Sequence, residues 1–91
     1  MLAGVTKSGF HYEITDDRLN NMELVDALSE FDETENDGDK AIVLSRVCRL
    51  MLGSKQKTAL YNHLREPEGN VPIDKVLAEV MDIITNESVK N

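Results

Sequence analysis

Few side chains in this 91-residue chain have the types and spacing that catalysis requires. The single cysteine, Cys48, together with His63 or His11, would supply a nucleophile and a base. Cys48 lies in the most apolar segment of the chain, however, where a free cysteine ordinarily behaves as a small hydrophobic side chain. His63 lies between Tyr61 and Arg65 on a short predicted helix, a sequence context that is typical of a surface histidine. We therefore assign no catalytic residue and predict that the protein is not an enzyme.

The acidic segment 32–39, DETENDGD, has the residue types of a calcium-binding loop. An EF-hand requires oxygen ligands at positions 1, 3 and 5, glycine at position 6 and a bidentate glutamate at position 12. With Gly38 at position 6, position 12 is Leu44, which cannot coordinate a metal ion. The three ligand positions are then Glu33, Glu35 and Asp37. We expect no metal site, and we predict a solvated, mobile loop over 32–39 because the segment has no apolar residue to bury.

An acyl-carrier role would also suit an acidic helical chain of this size. Such carriers present a serine directly after an aspartate, at the start of a helix, to receive a phosphopantetheine arm. None of the serines here follows an aspartate; they are Ser8, Ser29, Ser45, Ser54 and Ser88. We therefore predict no cofactor.

Composition restricts the classes of partner. The chain has 17 acidic and 10 basic side chains and a formal net charge of −7, which disfavours binding to nucleic acid or to anionic lipid. No apolar run approaches the ~20 residues needed to cross a bilayer, and the first ten residues are too polar for a secretory signal. One cysteine cannot form an internal disulfide. We predict one domain, residues 1–91, in the cytoplasm.

The residue pattern predicts a mainly α fold with an N-terminal β-hairpin. The hairpin pairs residues 2–6 with residues 10–14 across a Lys7-Ser8-Gly9 turn. The apolar periodicity then predicts about four helices in a small bundle, at residues 16–31, 40–52, 55–65 and 72–85, with a frayed tail over 86–91. Predicted helix starts are Thr15 or Asp16, Asp39, Ser54 and Pro72. Gly53 is expected to end the second helix with a positive φ, and the third helix is expected to direct Ala59, Leu60 and Leu64 inward.

Three details of these helices are testable against a structure. The first helix is expected to carry an apolar stripe of Leu19, Met22, Val25 and Leu28, which Leu24 and Phe31 widen. The last helix is expected to bury Ile73, Val76, Leu77, Val80, Met81 and Ile84, and to pair Lys75 with Glu79. The second helix is apolar nearly all round, which fits either a buried central helix or a partly exposed groove for another helix or another copy of the chain.

Taken together, the residues resemble the small tail assembly chaperones of long-tailed, siphovirus-type bacteriophages and prophages. The resemblance covers nearly the whole chain and depends on the order and spacing of short segments, because each alone is an ordinary cap, turn or helix face. The segments are Thr6-Lys7-Ser8-Gly9-Phe10, Tyr12-Glu13-Ile14, Asn21-Met22-Glu23-Leu24-Val25-Asp26-Ala27-Leu28, Leu50-Met51-Leu52-Gly53, Gln56-Lys57, Leu60-Tyr61, His63-Leu64-Arg65, Gly69 and Val71-Pro72-Ile73.

The resemblance implies a non-enzymatic protein that acts in the cytoplasm of the infected bacterium and is absent from the mature virion. Chaperones of this family coat the long tape measure protein, keep its apolar helices soluble and recruit tail tube subunits. Many are also made as a second, longer product by ribosomal frameshifting. The family has no catalytic motif, so the resemblance assigns no site residues. It leaves homo-oligomer formation open.

A second hypothesis follows from the charge alone. An acidic chain of this size also fits a regulatory or inhibitor protein that occupies a basic surface on a host protein. Binding of that kind weakens steeply with salt, whereas binding through apolar grooves does not.

Overall fold

The computed structural model describes the backbone of residues 1–90 and the side chains of residues 1–85. Within these residues a two-stranded antiparallel hairpin precedes four helices, which confirms the predicted fold class. The elements are β1 Leu2–Val5, β2 His11–Ile14, α1 Asp16–Leu19, α2 Met22–Glu33, α3 Asp37–Leu64 and α4 Ile73–Lys90. The backbone of α4 continues to Lys90, beyond the predicted end of this helix at residue 85. Of the predicted frayed tail, 86–91, the side chains and residue 91 lie outside the described part of the chain.

The hairpin forms where the alternating pattern placed it. Leu2 pairs with Ile14 and Val5 with His11, and Gly9 adopts φ 96° in the connecting turn, as predicted. The outer edge of β2 is covered by the side-chain amide of Gln56. This amide accepts from the Glu13 N–H at 2.8 Å and donates to the Glu13 carbonyl at 2.6 Å. A single side chain thus reproduces one rung of strand pairing and fastens the hairpin to α3.

Tyr12 packs against the hairpin's other strand at Gly4. A Cβ built on Gly4 would lie 2.6 Å from the Tyr12 hydroxyl oxygen and 2.9 Å from the ring carbon that bears it. Because Gly4 has no side chain, the Tyr12 ring can occupy this space. Within the described part of the chain, the buried Tyr12 hydroxyl has no hydrogen-bond partner. The ring thus contributes apolar burial, and its hydroxyl remains desolvated.

The predicted first helix, 16–31, is wrong in one respect. The structure has two helices here, α1 and α2, which are separated by Asn20 and Asn21. Thr15 caps α1, as expected, accepting from the Arg18 N–H at 3.4 Å. Asn21 then caps α2, accepting from the Glu23 N–H at 3.0 Å. An asparagine side chain competes for backbone hydrogen bonds and so favours a cap over a helix interior.

The break changes which apolar residues are buried. Leu19, Met22 and Val25, all predicted to face inward, are 42%, 68% and 49% exposed. The face that packs on α3 is formed by Leu24, Leu28 and Phe31, which belong to the predicted stripe, together with Ala27.

The acidic segment is also shorter as a loop than predicted. α2 continues to Glu33 and α3 starts at Asp37, so residues 34–36 connect them rather than residues 32–39. The cap of α3 is Asn36, which accepts from the Asp39 N–H at 3.0 Å, and not Asp39 itself. Acidic side chains in the first turn of a helix are favoured by its positive N-terminal end, so this part of the segment joins the helix.

The two predicted helices 40–52 and 55–65 form one kinked element, α3. Gly53 has φ 82° and ψ 161°, a conformation that is essentially restricted to glycine. The predicted positive φ at Gly53 is confirmed. The Arg18 guanidinium covers this residue so closely that a Cβ there would lie 2.5 Å from one of its nitrogens. The kink therefore gives α1 a flat backbone surface to pack on.

The core is organised around α3. Its first part buries Val43, Leu44, Val47, Cys48, Met51 and Leu52, which agrees with the interpretation as a central helix. Ile42 is 68% exposed, however, so this helix is not covered on all sides. After the kink, Leu60 and Leu64 are buried, whereas Ala59, predicted to face inward, is exposed.

In α4 the buried stripe passes through Val76, Val80 and Ile83, with Leu77 and Ile84 half-buried. Ile73 and Met81 are 61% and 50% exposed, contrary to prediction. The stripe is rotated toward Glu79, which is itself buried. The predicted Lys75–Glu79 ion pair is wrong: Lys75 pairs with Glu66 at 3.1 Å.

Among the described residues, no helix is both long enough and apolar enough to cross a membrane.

Gly53→Ala is expected to lower the free energy of unfolding by about 1–3 kcal/mol, because an alanine is strained at this φ and ψ. Thermal and urea denaturation followed by circular dichroism would measure the loss. Gly38→Ala, in the first turn of the same helix, is the control, since its backbone has no positive φ. Equal stability changes in the two variants would contradict the assigned role of Gly53.

Candidate functional site

Cys48 and the histidines do not form a catalytic pair. Cys48 has no exposed surface, and burial raises the pKa of its thiol from 9.0 to about 11, against the smaller opposing effect of the Lys57 charge. His63 is hydrogen-bonded to Ser8 and packs against Phe10, with ring centroids 5.7 Å apart and ring planes tilted by 44°. His11 is exposed on β2. A thiol this hard to ionise is a poor nucleophile.

A partly buried polar cluster, which was not among the predicted features, joins the hairpin turn to α4. Glu79 is 5% exposed and accepts through Oε1 from the Thr6 hydroxyl at 2.7 Å and the Ser8 hydroxyl at 2.9 Å. His63 Nε2 lies 3.0 Å from Ser8 Oγ and 3.2 Å from the Ser8 carbonyl oxygen. We call Thr6, Ser8, His63 and Glu79 the polar cluster.

The directions of these hydrogen bonds show what the polar cluster can do. Both the hydroxyl and the carbonyl oxygen of Ser8 lie within hydrogen-bond distance of His63 Nε2. A carbonyl oxygen only accepts, so both bonds form only in the tautomer that carries its proton on Nε2. In that tautomer the Ser8 hydroxyl proton is directed to the Glu79 carboxylate, which is the reverse of a serine nucleophile, in which the histidine nitrogen accepts the hydroxyl proton. The polar cluster then connects the hairpin turn to α3 and α4.

Two further bonds support that structural role. Asp82, one turn after Glu79 on α4, accepts from the Lys7 backbone N–H at 2.6 Å. Thr6 Oγ1 accepts from the Phe10 N–H at 3.0 Å, inside the hairpin turn. Two carboxylates of α4 thus bond three consecutive residues of the hairpin connection, Thr6, Lys7 and Ser8, which fixes the hairpin against the helices.

The candidate calcium ligands are separated by the ends of two helices. Glu33 ends α2, Glu35 lies in the connection and Asp37 starts α3. Leu44, at the twelfth position, is buried in the core. Within the described residues, no three His, Cys, Asp or Glu side chains are grouped so that they could hold a metal ion.

An open apolar groove of about 500 Å³ lies where the end of α2 meets the starts of α3 and α4. Its apolar lining has Leu44 at the bottom, half-buried side chains on the walls and the exposed Ile73 at one edge. The apolar lining residues are Phe31, Ala41, Leu44, Ile73 and Leu77. Ala41, Leu44 and Ile73 also line a smaller adjoining hollow beside Tyr61 and Val71, so the apolar surface continues along α3. We call this surface the α2–α3–α4 groove.

The charged side chains at the groove differ in whether they have an interaction partner. The Lys40 ammonium lies 4.4 Å from the centre of the Phe31 ring. Lys57, by the smaller hollow, donates to Ser45 Oγ at 2.8 Å and lies 5.6 Å from the Tyr61 ring. Asp37 and Asp74 are exposed, and within the described residues neither carboxylate has a hydrogen bond or ion pair. The charges left open at the groove are therefore negative.

Comparison with known proteins gives no relative: no protein-family model, curated protein or solved structure matches the chain.

Sequence reasoning anticipated part of the groove and missed the polar cluster. Residues 41–52 are apolar on nearly all sides, which indicated a helix with apolar surface beyond what the core would cover. Ala41 and Leu44 of this helix line the groove. The contributions of Phe31 and Ile73 come from other elements, and no periodicity shows that they meet. For Glu79 one signal was present: it stands between Val76 and Val80, close to the centre of the apolar stripe of α4.

Thr6→Val is expected to lower the free energy of unfolding by about 1.5–3 kcal/mol, because it removes the buried hydroxyl that donates to Glu79 and accepts from the Phe10 N–H. Urea denaturation would measure the change. Thr58→Val, at an exposed position of α3, is the matched control and should change stability by less than about 0.5 kcal/mol. A Thr6→Val variant as stable as that control would show that the polar cluster does not hold the hairpin.

Stability is expected to fall as pH rises from about 9 to 11. The unfolded chain releases the Cys48 proton near 9.0, whereas the folded chain keeps it up to about 11. The unfolded state therefore binds fewer protons in this window, and the free energy of unfolding declines by at most about 1.4 kcal/mol per pH unit for this one group. Below pH 9 this contribution is fully present.

Urea denaturation between pH 8 and 11 (about the window set by that shift) would test this dependence in wild type and in Cys48→Ala. The variant loses core packing at every pH, but its stability should decline less steeply. Some decline should persist, since burial also raises the pKa of Tyr61, and Tyr61→Phe tests that part. Parallel curves for wild type and Cys48→Ala would contradict the assignment.

Proposed function

We propose that this protein is a phage-type tail assembly chaperone that binds the tape measure protein and recruits tail tube subunits in the bacterial cytoplasm. The proposal joins the whole-chain resemblance to one structural observation, the open α2–α3–α4 groove. An assembly chaperone of this kind needs an apolar surface that receives a partner's helices and releases them later. It needs neither a catalytic group nor a cofactor.

The groove supports this role because its apolar side chains are accessible without unfolding. Ile73 is 61% exposed at the edge, and Phe31, Ala41 and Leu77 are half-buried on the walls. Phe31 and Leu77 already pack on the core from their inner sides, so a partner would contact a preformed surface. A preformed surface reduces the ordering cost of binding.

The alternative, an acidic inhibitor of a basic host protein, is supported by a different observation. The outer face of α2 carries Glu23, Asp26 and Glu30, all exposed, although Glu30 is paired with Arg46 of α3. Binding through this face would weaken steeply as salt rises. Binding through the groove has an apolar component that salt does not weaken.

The test is co-expression with the tape measure protein encoded in the same genome. We expect a larger soluble fraction of that protein and a complex that survives size-exclusion chromatography in high salt. Ile73→Gln should reduce the recovered complex severalfold, because it places a polar group at the groove edge. Met81→Gln is the matched control, since Met81 is also exposed on α4 but does not line the groove.

Three results would contradict the proposal. They are an unchanged solubility of the tape measure protein with no complex, equal losses in the two variants, and a complex that dissociates fully in salt. The last result would favour the acidic inhibitor.

A further inference from the structure

We infer that the α2–α3–α4 groove selects an amphipathic α-helix in which lysine or arginine side chains flank the apolar stripe. This inference rests on the proposed function for the groove's role and adds the chemistry of its occupant. It depends on the backbone around the groove, on the open charges at its rim and on the charge of the chain itself.

The walls of the groove favour a helical occupant over an extended one. An extended peptide binds by adding to an exposed strand edge, which supplies backbone donors and acceptors. Here the walls are the helices α2, α3 and α4, which present no strand edge. The free N–H groups in the first turns of α3 and α4 are too few to pair with an extended chain. A bound segment must therefore satisfy its own backbone, and an α-helix does so while inserting side chains at i, i+3, i+4 and i+7.

The rim favours basic side chains on that helix. Asp37 and Asp74, in the first turns of α3 and α4, are exposed and unpaired within the described residues. The nearby cations do not offset them fully toward a partner, because Lys40 faces the Phe31 ring and Lys57 faces Ser45 and Tyr61. A lysine or arginine beside the apolar stripe would meet two open carboxylates. Glutamate at the same position would meet like charge.

The same charges disfavour a second copy of the chain as the occupant. In a two-fold symmetric contact the same surface faces itself, so Asp37 and Asp74 of both copies would lie in one interface. Each copy also carries a net charge of −7. A basic partner avoids both sources of repulsion.

Synthetic peptides test the inference without the tape measure protein. Each has about 18 residues, five helical turns, with leucine along one face. The positions flanking that face are all lysine, all glutamine or all glutamate in three otherwise identical peptides. We expect affinity to fall in that order, with the lysine peptide at least about tenfold tighter than the glutamate peptide by fluorescence anisotropy.

Two double variants separate the rim from general charge attraction. Asp37→Asn with Asp74→Asn should reduce the preference for lysine over glutamate to about twofold or less. Asp17→Asn with Asp26→Asn removes the same number of charges at exposed positions outside the groove and should preserve most of the preference. Ile73→Gln should weaken all three peptides, whereas Met81→Gln should not.

The inference is overturned by absent binding of the lysine peptide, by equal affinities for the lysine and glutamate peptides, or by equal effects of the two double variants. Sedimentation equilibrium of the protein alone adds a fourth arm, because a stable dimer that Ile73→Gln dissociates would make a second copy the occupant. Selective peptide binding without a tape measure complex would leave the groove's selectivity standing and remove the proposed function.

Discussion

The packing of this chain depends on the backbone at Gly53. With φ 82° and ψ 161°, this residue changes the direction of α3 without a loop, so one element buries both Leu44 and Leu60 in the same core. The segment after the kink also supplies Gln56 and His63, which hold the hairpin at its β2 edge and at its turn. If α3 continued straight beyond Gly53, Gln56 and His63 would have a different position relative to the core residues that precede the kink. The position of the hairpin therefore depends on this glycine conformation as well as on the two carboxylates of α4.

The hairpin could be predicted from the sequence because its signals are local. Alternating residues, a glycine at the turn and flanking strands of equal length are sufficient to specify it. Helix ends were harder, because Asn21 and Asn36 compete with other polar residues for the capping positions. Asp39 was a reasonable cap by residue type, but Asn36 three residues earlier accepts from its N–H and so starts the helix sooner. Capping strength alone does not decide between neighbouring candidates.

The predicted burial was wrong where a helix has more apolar residues than its contacts can cover. In α2, both Met22 and Leu24 belong to apolar stripes, and only packing against α3 decides that Leu24 is buried. In α4, the stripe shifts by part of a turn so that Glu79 reaches the hydroxyls of Thr6 and Ser8. The partners of Glu79 lie more than 70 residues away in sequence, so no local pattern contains them. The polar cluster and the groove share this origin, since each is assembled from separate elements.

The distribution of charge explains how an acidic protein can keep an apolar surface in water. Exposed apolar side chains promote self-association, and a net charge of −7 opposes it by repulsion between copies. That repulsion is not specific, because it acts on any acidic partner. Placing two unpaired carboxylates at the rim of the groove makes the same charge selective where an apolar contact is available. A partner with flanking basic residues would gain both apolar burial and electrostatic attraction. A neutral helix would gain only the apolar burial, and an acidic helix would also be repelled.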